Sequence, residues 1–115
     1  METSRKPDIN ASDFFAVDMR VGRVVGVEEF AEARTPAWKI TVDFGALGKL
    51  RTSAQVTHYA REDLVGRLVV GAVNLSTKRI AGFRSEFLLL GAVSDEDVVR
   101  LLSPDSDAAP GEPIA

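Results

Sequence analysis

The 115-residue sequence has no cysteine, a formal net charge of -3, and 45% hydrophobic against 27% charged residues. That length and balance suit one self-sufficient globular domain and exclude a disordered or fibrous chain, and the missing cysteine excludes disulfides, thiolate zinc sites and a cysteine nucleophile. No run approaches the roughly 20 apolar residues of a membrane span, and METSRKPDINASDFF lacks an apolar stretch followed by a small-residue cleavage site, so the chain reads as cytoplasmic, without membrane insertion.

Charge is unevenly placed. Residues 95 to 115 carry six acids against Arg100 alone, which leaves the first 94 residues at +2. A field of this overall sign does not draw the chain to phosphate-rich polymers, so any nucleic-acid site has to be a local basic patch.

Residues 1–12 are polar, hold Pro7 and show no apolar periodicity, which predicts a flexible arm before a single domain over 13–115. Asp13 is placed to cap a short helical turn through Phe14 and Phe15. Met19 to Val27 is valine-rich with Gly22 and Gly26 inside it, a pattern expected of a long first strand that bends around a barrel. Trp38 to Phe44 alternates apolar and polar residues without exception, as a strand with one wet face does. Gly45 to Gly48 then predicts a turn and Lys49 to Thr52 a returning strand, a hairpin.

Ser53 to Leu64 reads as a short helical connection closed by Gly66, with Thr52 and Ser53 as caps. Leu68 to Val73 is apolar on both faces and predicts a strand buried in a small barrel. Ile80 to Phe83, Glu86 to Val93 and Val98 to Leu102 give further short strands, and Pro104 to Pro113 reads as surface loop. Together these predict an all-β fold, a five-stranded barrel of the oligonucleotide/oligosaccharide-binding type with short helical segments.

Asn74 to Glu86 is the densest polar stretch and its charges are mostly positive. Lys78, Arg79 and Arg84 suit phosphates, Gly82 permits close backbone approach, Ser85 offers a hydroxyl, and Phe83 suits stacking on a base. The same residues also fit a solvated hairpin with Phe83 in the core. Arg51, Ser53 and Gln55 form a second polar stretch able to contact a backbone. His58 is the single histidine, with no acid pair at ligand spacing, and Glu28, Glu29 and Glu32 sit in loop-like context, so no metal, cofactor or catalytic constellation is predicted. No phosphate-loop, dinucleotide or nucleophile-elbow pattern occurs, and the chain does not read as an enzyme.

The ordered motifs resemble the tRNA-binding domain family over almost the whole chain. Asp18-Met19-Arg20-Val21-Gly22 is similar to its Asp-x-Arg-x-Gly opening, and Glu28 to Pro36 with Val42-Asp43-Phe44-Gly45 to its next hairpin. Ser53-Ala54-Gln55-Val56-Thr57, and Arg79 to Phe83 with Ser85-Glu86, resemble the CsaA-type branch of secretion chaperones in particular. Asn74, Lys78, Arg79, Gly82 and Ser85 fall on the family's asparagine-to-serine motif. Where tRNA-binding members commonly read Asn-Leu-Lys-Pro, this chain reads Asn74-Leu75-Ser76-Thr77, which removes a cation and a rigid proline.

The resemblance implies a homodimer that holds unfolded preproteins and cooperates with the secretion ATPase. A groove beside Asn74 to Ser85 is expected to accept extended peptide, with Phe83 or Trp38 giving apolar contact if exposed, although the alternating strand makes Trp38 a core residue first. The alternative is a binder of tRNA or other structured RNA through Lys78, Arg79, Arg84, Lys49 and Arg51. A third reading is an assembly module acting in trans on a synthetase.

Overall fold

The computed structural model describes residues 4–115. Its centre is a five-stranded antiparallel sheet in the order β3-β2-β1-β4-β7, formed by β1 (Met19–Glu29), β2 (Trp38–Asp43), β3 (Lys49–Ala54), β4 (Leu68–Ala72) and β7 (Leu88–Leu89). Two small hairpins complete it: β5 (Lys78–Ile80) with β6 (Phe83–Ser85), and β8 (Gly91–Val93) with β9 (Val99–Leu101). The sheet curls into a nearly closed barrel, the predicted architecture.

The long first strand makes the curl possible. Met19 to Arg23 pairs with β4, while Arg23 to Glu29 pairs with β2, so one strand serves both halves of the barrel. A bulge between Val24 and Gly26 shifts the register there, as an inserted residue does when a strand bends. Gly22 has a different reason: a Cβ would collide with Val42 Cγ1 and stand 2.9 Å from the Phe44 ring. Two walls of the barrel meet at that point with no room for a side chain.

Because β2 leaves β1 at Arg23, the backbone of Met19 to Val21 needs other partners on that side. The C-terminal residues supply them. Val21 N–H donates to Glu112 O at 2.9 Å, Gly111 N–H to Val21 O at 2.7 Å and Ile114 N–H to Met19 O at 2.9 Å. The stretch expected as surface loop therefore ends as a strap along β1. Arg20 holds it further, donating through Nη1 to Gly111 O at 3.1 Å while its Nε pairs with Asp18 at 2.6 Å.

Alternation in β2 buries Ile40 and Val42, with Phe44 just beyond the strand, and all five residues of β4 are buried. Ile40, Val42, Phe44 and Val69 of β4, with Val24, Val27, Val56, Leu64, Phe87 and Leu101, form the main core, where burying each large apolar side chain contributes about 1.5–3 kcal/mol. Trp38 is half-buried against this core and donates from Nε1 to Tyr59 O at 3.1 Å.

Three local expectations are corrected. Helix α1 spans Ala11–Phe15 with Asn10 at its N-cap, so Asp13 lies inside the helix and caps nothing, and part of the predicted arm is helical. Residues 1–3 of that arm lie outside the described residues. The helical connection after Thr52 shrinks to α2 (Arg61–Leu64), because Ser53 and Ala54 continue β3 opposite Lys39 and Trp38. Cross-strand pairing outweighed local helix preference there. Finally, Thr52 is buried in the barrel wall and caps no helix.

Candidate functional site

The barrel wall is incomplete between β3 and the β5–β6 hairpin. The two elements are joined at one place. Glu86 N–H donates to Arg51 O at 2.8 Å, Arg51 N–H donates to Glu86 Oε1 at 2.9 Å, and Thr52 Oγ1 lies 2.6 Å from Ser85 Oγ and 2.9 Å from Phe87 O. Beyond that clasp, Ser53, Ala54 and Gln55 face Ile80 across a groove.

Ser53, Ala54, Gln55 and Ile80 line both of its chambers. One, about 410 Å³, is walled by the loop from Phe30 to Ala37, with Glu32, Arg34 and Thr35 at its rim. The other, about 350 Å³, runs over Phe87, Leu88, Leu89, Val99 and Leu101, with Lys78 at its edge. Polar groups at the rim and an apolar floor are the usual makeup of a site that takes an extended chain.

The hairpin register divides the cations that the sequence placed together. Arg79 stands directly opposite Arg84, while Lys78 is opposite Ser85 and Ile80 opposite Phe83. Side chains directly opposite share a face and neighbours in sequence do not. Lys78 therefore shares the groove face with Ile80, and Arg79 and Arg84 lie together on the outer face. All three are exposed, and among the described residues none has a carboxylate partner.

Ala81 and Gly82 form the hairpin tip with φ of 49° and 79°, the two left-handed positions a two-residue turn of this twist requires. A Cβ on Gly82 would meet no other atom of the protein within 4 Å, so within the fold its glycine answers to the left-handed φ.

Several candidate residues make contacts within the fold. Phe83 is buried at 8% exposure against Phe30 and Ala37, with the Arg51 guanidinium 4.8 Å and Lys39 Nζ 5.2 Å from its ring centre. It is therefore a packing residue and offers no free face for a base, which corrects the stacking reading. Asn74 is exposed, yet its amide accepts from Asp18 N–H at 2.7 Å and donates to Ala16 O at 2.8 Å, tying the loop after β4 to the entry into β1. Ser85 is held by Thr52, as above. Ser53 and Gln55 do line the groove, as do the unpredicted Leu88 from β7 and Val99 and Leu101, which reach it through the second hairpin.

His58 Nε2 lies 2.8 Å from Val99 O, a tie between loop and β9. Among the described residues, no group of three or more His, Cys, Asp or Glu side chains is placed to hold a metal ion, and no helix is long and apolar enough to cross a membrane.

A nearly closed five-stranded antiparallel barrel with a groove beside its clasped wall defines an oligonucleotide/oligosaccharide-binding-type protein. Residues 19–113 match the family described as "Putative tRNA binding domain", and the chain belongs to that family. The CsaA chaperone protein of Picrophilus torridus is 41% identical and superposes with a TM-score of 0.88 over 94% of this chain and all of its own. The chaperone CsaA of Bacillus anthracis is 44% identical with a TM-score of 0.90 over 95% of this chain and all of its own. Methionine–tRNA ligase 1 of Sorangium cellulosum is 39% identical over 106 residues, 91% of this chain but only 15% of the ligase. The matches thus involve a tRNA-binding domain and CsaA-type proteins, and no catalytic domain; the chain spans about 15–17% of the length of such ligases.

Proposed function

We propose that this protein is a CsaA-like export chaperone: a cytoplasmic homodimer that holds unfolded preproteins in the groove between β3 and the β5–β6 hairpin and cooperates with the secretion ATPase. The observation that carries this reading is the groove itself, two joined chambers with an apolar floor and polar rims. Two chambers that share Ser53, Ala54, Gln55 and Ile80 suit an extended segment whose alternate side chains occupy them. The likeness to two CsaA proteins over their full lengths supports it.

Dimerisation is supported by α1, where Phe14 and Phe15 are 44% and 61% exposed and no helix residue is buried. An exposed aromatic pair tied next to Asn74 suits a second copy.

A second reading, binding of tRNA, is favoured by Arg79 and Arg84. Like charges directly opposite on a hairpin are destabilising unless an anion relieves them. The outer face would then track a phosphate backbone, with Lys78 left at the edge of the groove.

Fluorescence anisotropy of labelled bulk tRNA and of a labelled unfolded preprotein peptide, each at low and high salt, separates the two. Peptide held in the groove is released at least tenfold more readily by Ile80→Glu and is almost indifferent to salt. RNA affinity falls steeply with salt and is lost in the Arg79→Ala/Arg84→Ala double variant. Peptide affinity unchanged in Ile80→Glu removes the groove assignment.

A further inference from the structure

A further polar cavity lies away from the groove and shares no residue with it. It is a pocket of about 200 Å³ between the middle of β1, the turn into β4 and the tail, lined by Arg23, Gly66, Arg67, Ser103 and Ser106 among others. Two guanidinium groups therefore share one small depression.

Their hydrogen bonds leave both underused. Arg23 Nη1 donates to Gly66 O at 2.8 Å. Arg67 donates from Nε to Ser103 Oγ at 2.9 Å and from Nη2 to Leu101 O at 3.1 Å, with its plane 5.2 Å from the Tyr59 ring centre. These neutral contacts fix where the charges sit. They do not compensate them: among the described residues neither arginine has a carboxylate within ion-pair distance. Asp105 and Asp107 flank Ser106 in sequence, but neither lines the pocket.

We infer that this pocket binds a phosphate group. A guanidinium fork matches phosphate oxygens, and a half-buried arginine already positioned by neutral acceptors loses little freedom on gaining an anion. Donors arriving from β1, from the turn into β4 and from the tail serins' hydroxyls suit a tetrahedral oxyanion better than a planar carboxylate, which one fork would satisfy. The pocket lining holds no aromatic ring on which a base could stack, so recognition stops at the phosphate. The inference stands apart from the chaperone reading and needs neither the groove nor the hairpin.

The test is a titration of the ¹⁵N-labelled protein with inorganic phosphate, followed by NMR, against chloride at matched ionic strength. Expected are saturable shifts of the Arg67 Nε–H and the Ser103 and Gly66 amides, with a dissociation constant of the order of 1 mM, as a few charge-assisted contacts supply. Arg23→Gln, at an exposed position that leaves the tail anchors intact, weakens binding about tenfold, and Arg67→Lys, which keeps the charge but loses the fork, does likewise. Shifts that are linear throughout, match those of chloride, or persist unchanged in Arg23→Gln overturn the proposal.

Two further probes name the source of the phosphate. A dinucleotide without terminal phosphate binding as well as inorganic phosphate assigns the pocket to a nucleic-acid backbone; binding confined to inorganic phosphate and a 5′-phosphorylated dinucleotide assigns it to free phosphate and monoesters.

Discussion

The hydroxyls of Thr52 and Ser85 stand 2.6 Å apart and form the clasp where β3 meets the second half of the barrel. Thr52 has one hydroxyl hydrogen, and Phe87 O at 2.9 Å is there to receive it. Ser85 is then the donor to Thr52, and a single buried oxygen joins β3, β6 and the link from β6 to β7. Thr52→Val keeps the shape of the side chain but leaves the Phe87 carbonyl without this partner. A loss of about 1–3 kcal/mol in urea unfolding is expected, with Ser85→Ala costing less because Ser85 is only half-buried. Equal stability of Thr52→Val and the unaltered protein would mean that the clasp does not hold the wall.

The two glycines of β1 separate steric need from strand bending. Gly22→Ala drives a methyl group into Val42 and the Phe44 ring, whereas a Cβ at Gly26 meets only the Thr41 side chain, at 3.4 Å from Cβ and 3.5 Å from Oγ1. Overpacking of the first kind costs about 1–3 kcal/mol or more. Gly26→Ala is expected to change stability by about 0.5 kcal/mol or less, the size of an ordinary surface substitution. Thermal unfolding of the two variants side by side checks the ordering.

Asn74 tests a structural against a binding role. Asn74→Ala removes both amide hydrogen bonds that tie Ala16 and Asp18 to the loop after β4. Exposed, part-solvated bonds of this kind contribute about 0.5–1.5 kcal/mol each. The expected outcome is faster hydrogen exchange at the Asp18 amide and a modest loss of stability, with affinity for tRNA or peptide unchanged per folded molecule. An affinity drop without any change in exchange would return Asn74 to the binding surface.

Much of the barrel was legible because its signals are local. The strict alternation from Trp38 to Phe44, the apolar run from Leu68 to Val73 and the glycines in a long first strand each reflect a period or a backbone requirement within a few residues. Ser53 and Ala54 were misread as helix for the converse reason: their neighbours suit a helix start, and only pairing with Lys39 and Trp38 makes them strand.

By itself the sequence determined the fold class and the family, and it grouped Lys78, Arg79, Gly82 and Ser85 in one polar stretch, although it reads Ile80 to Phe83 as strand where the structure turns at Ala81 and Gly82. Only the tertiary structure decided which of these share a face. It buried Phe83 under two cations, turned Asn74 inward to the chain's own backbone, and laid residues 111–114 along β1. Those outcomes depend on contacts between residues far apart in the chain, such as Arg51 with Glu86 or Val21 with Glu112. Their partners are chosen by the unsatisfied hydrogen bonds and open space that the barrel leaves, and no window of neighbouring residues encodes these.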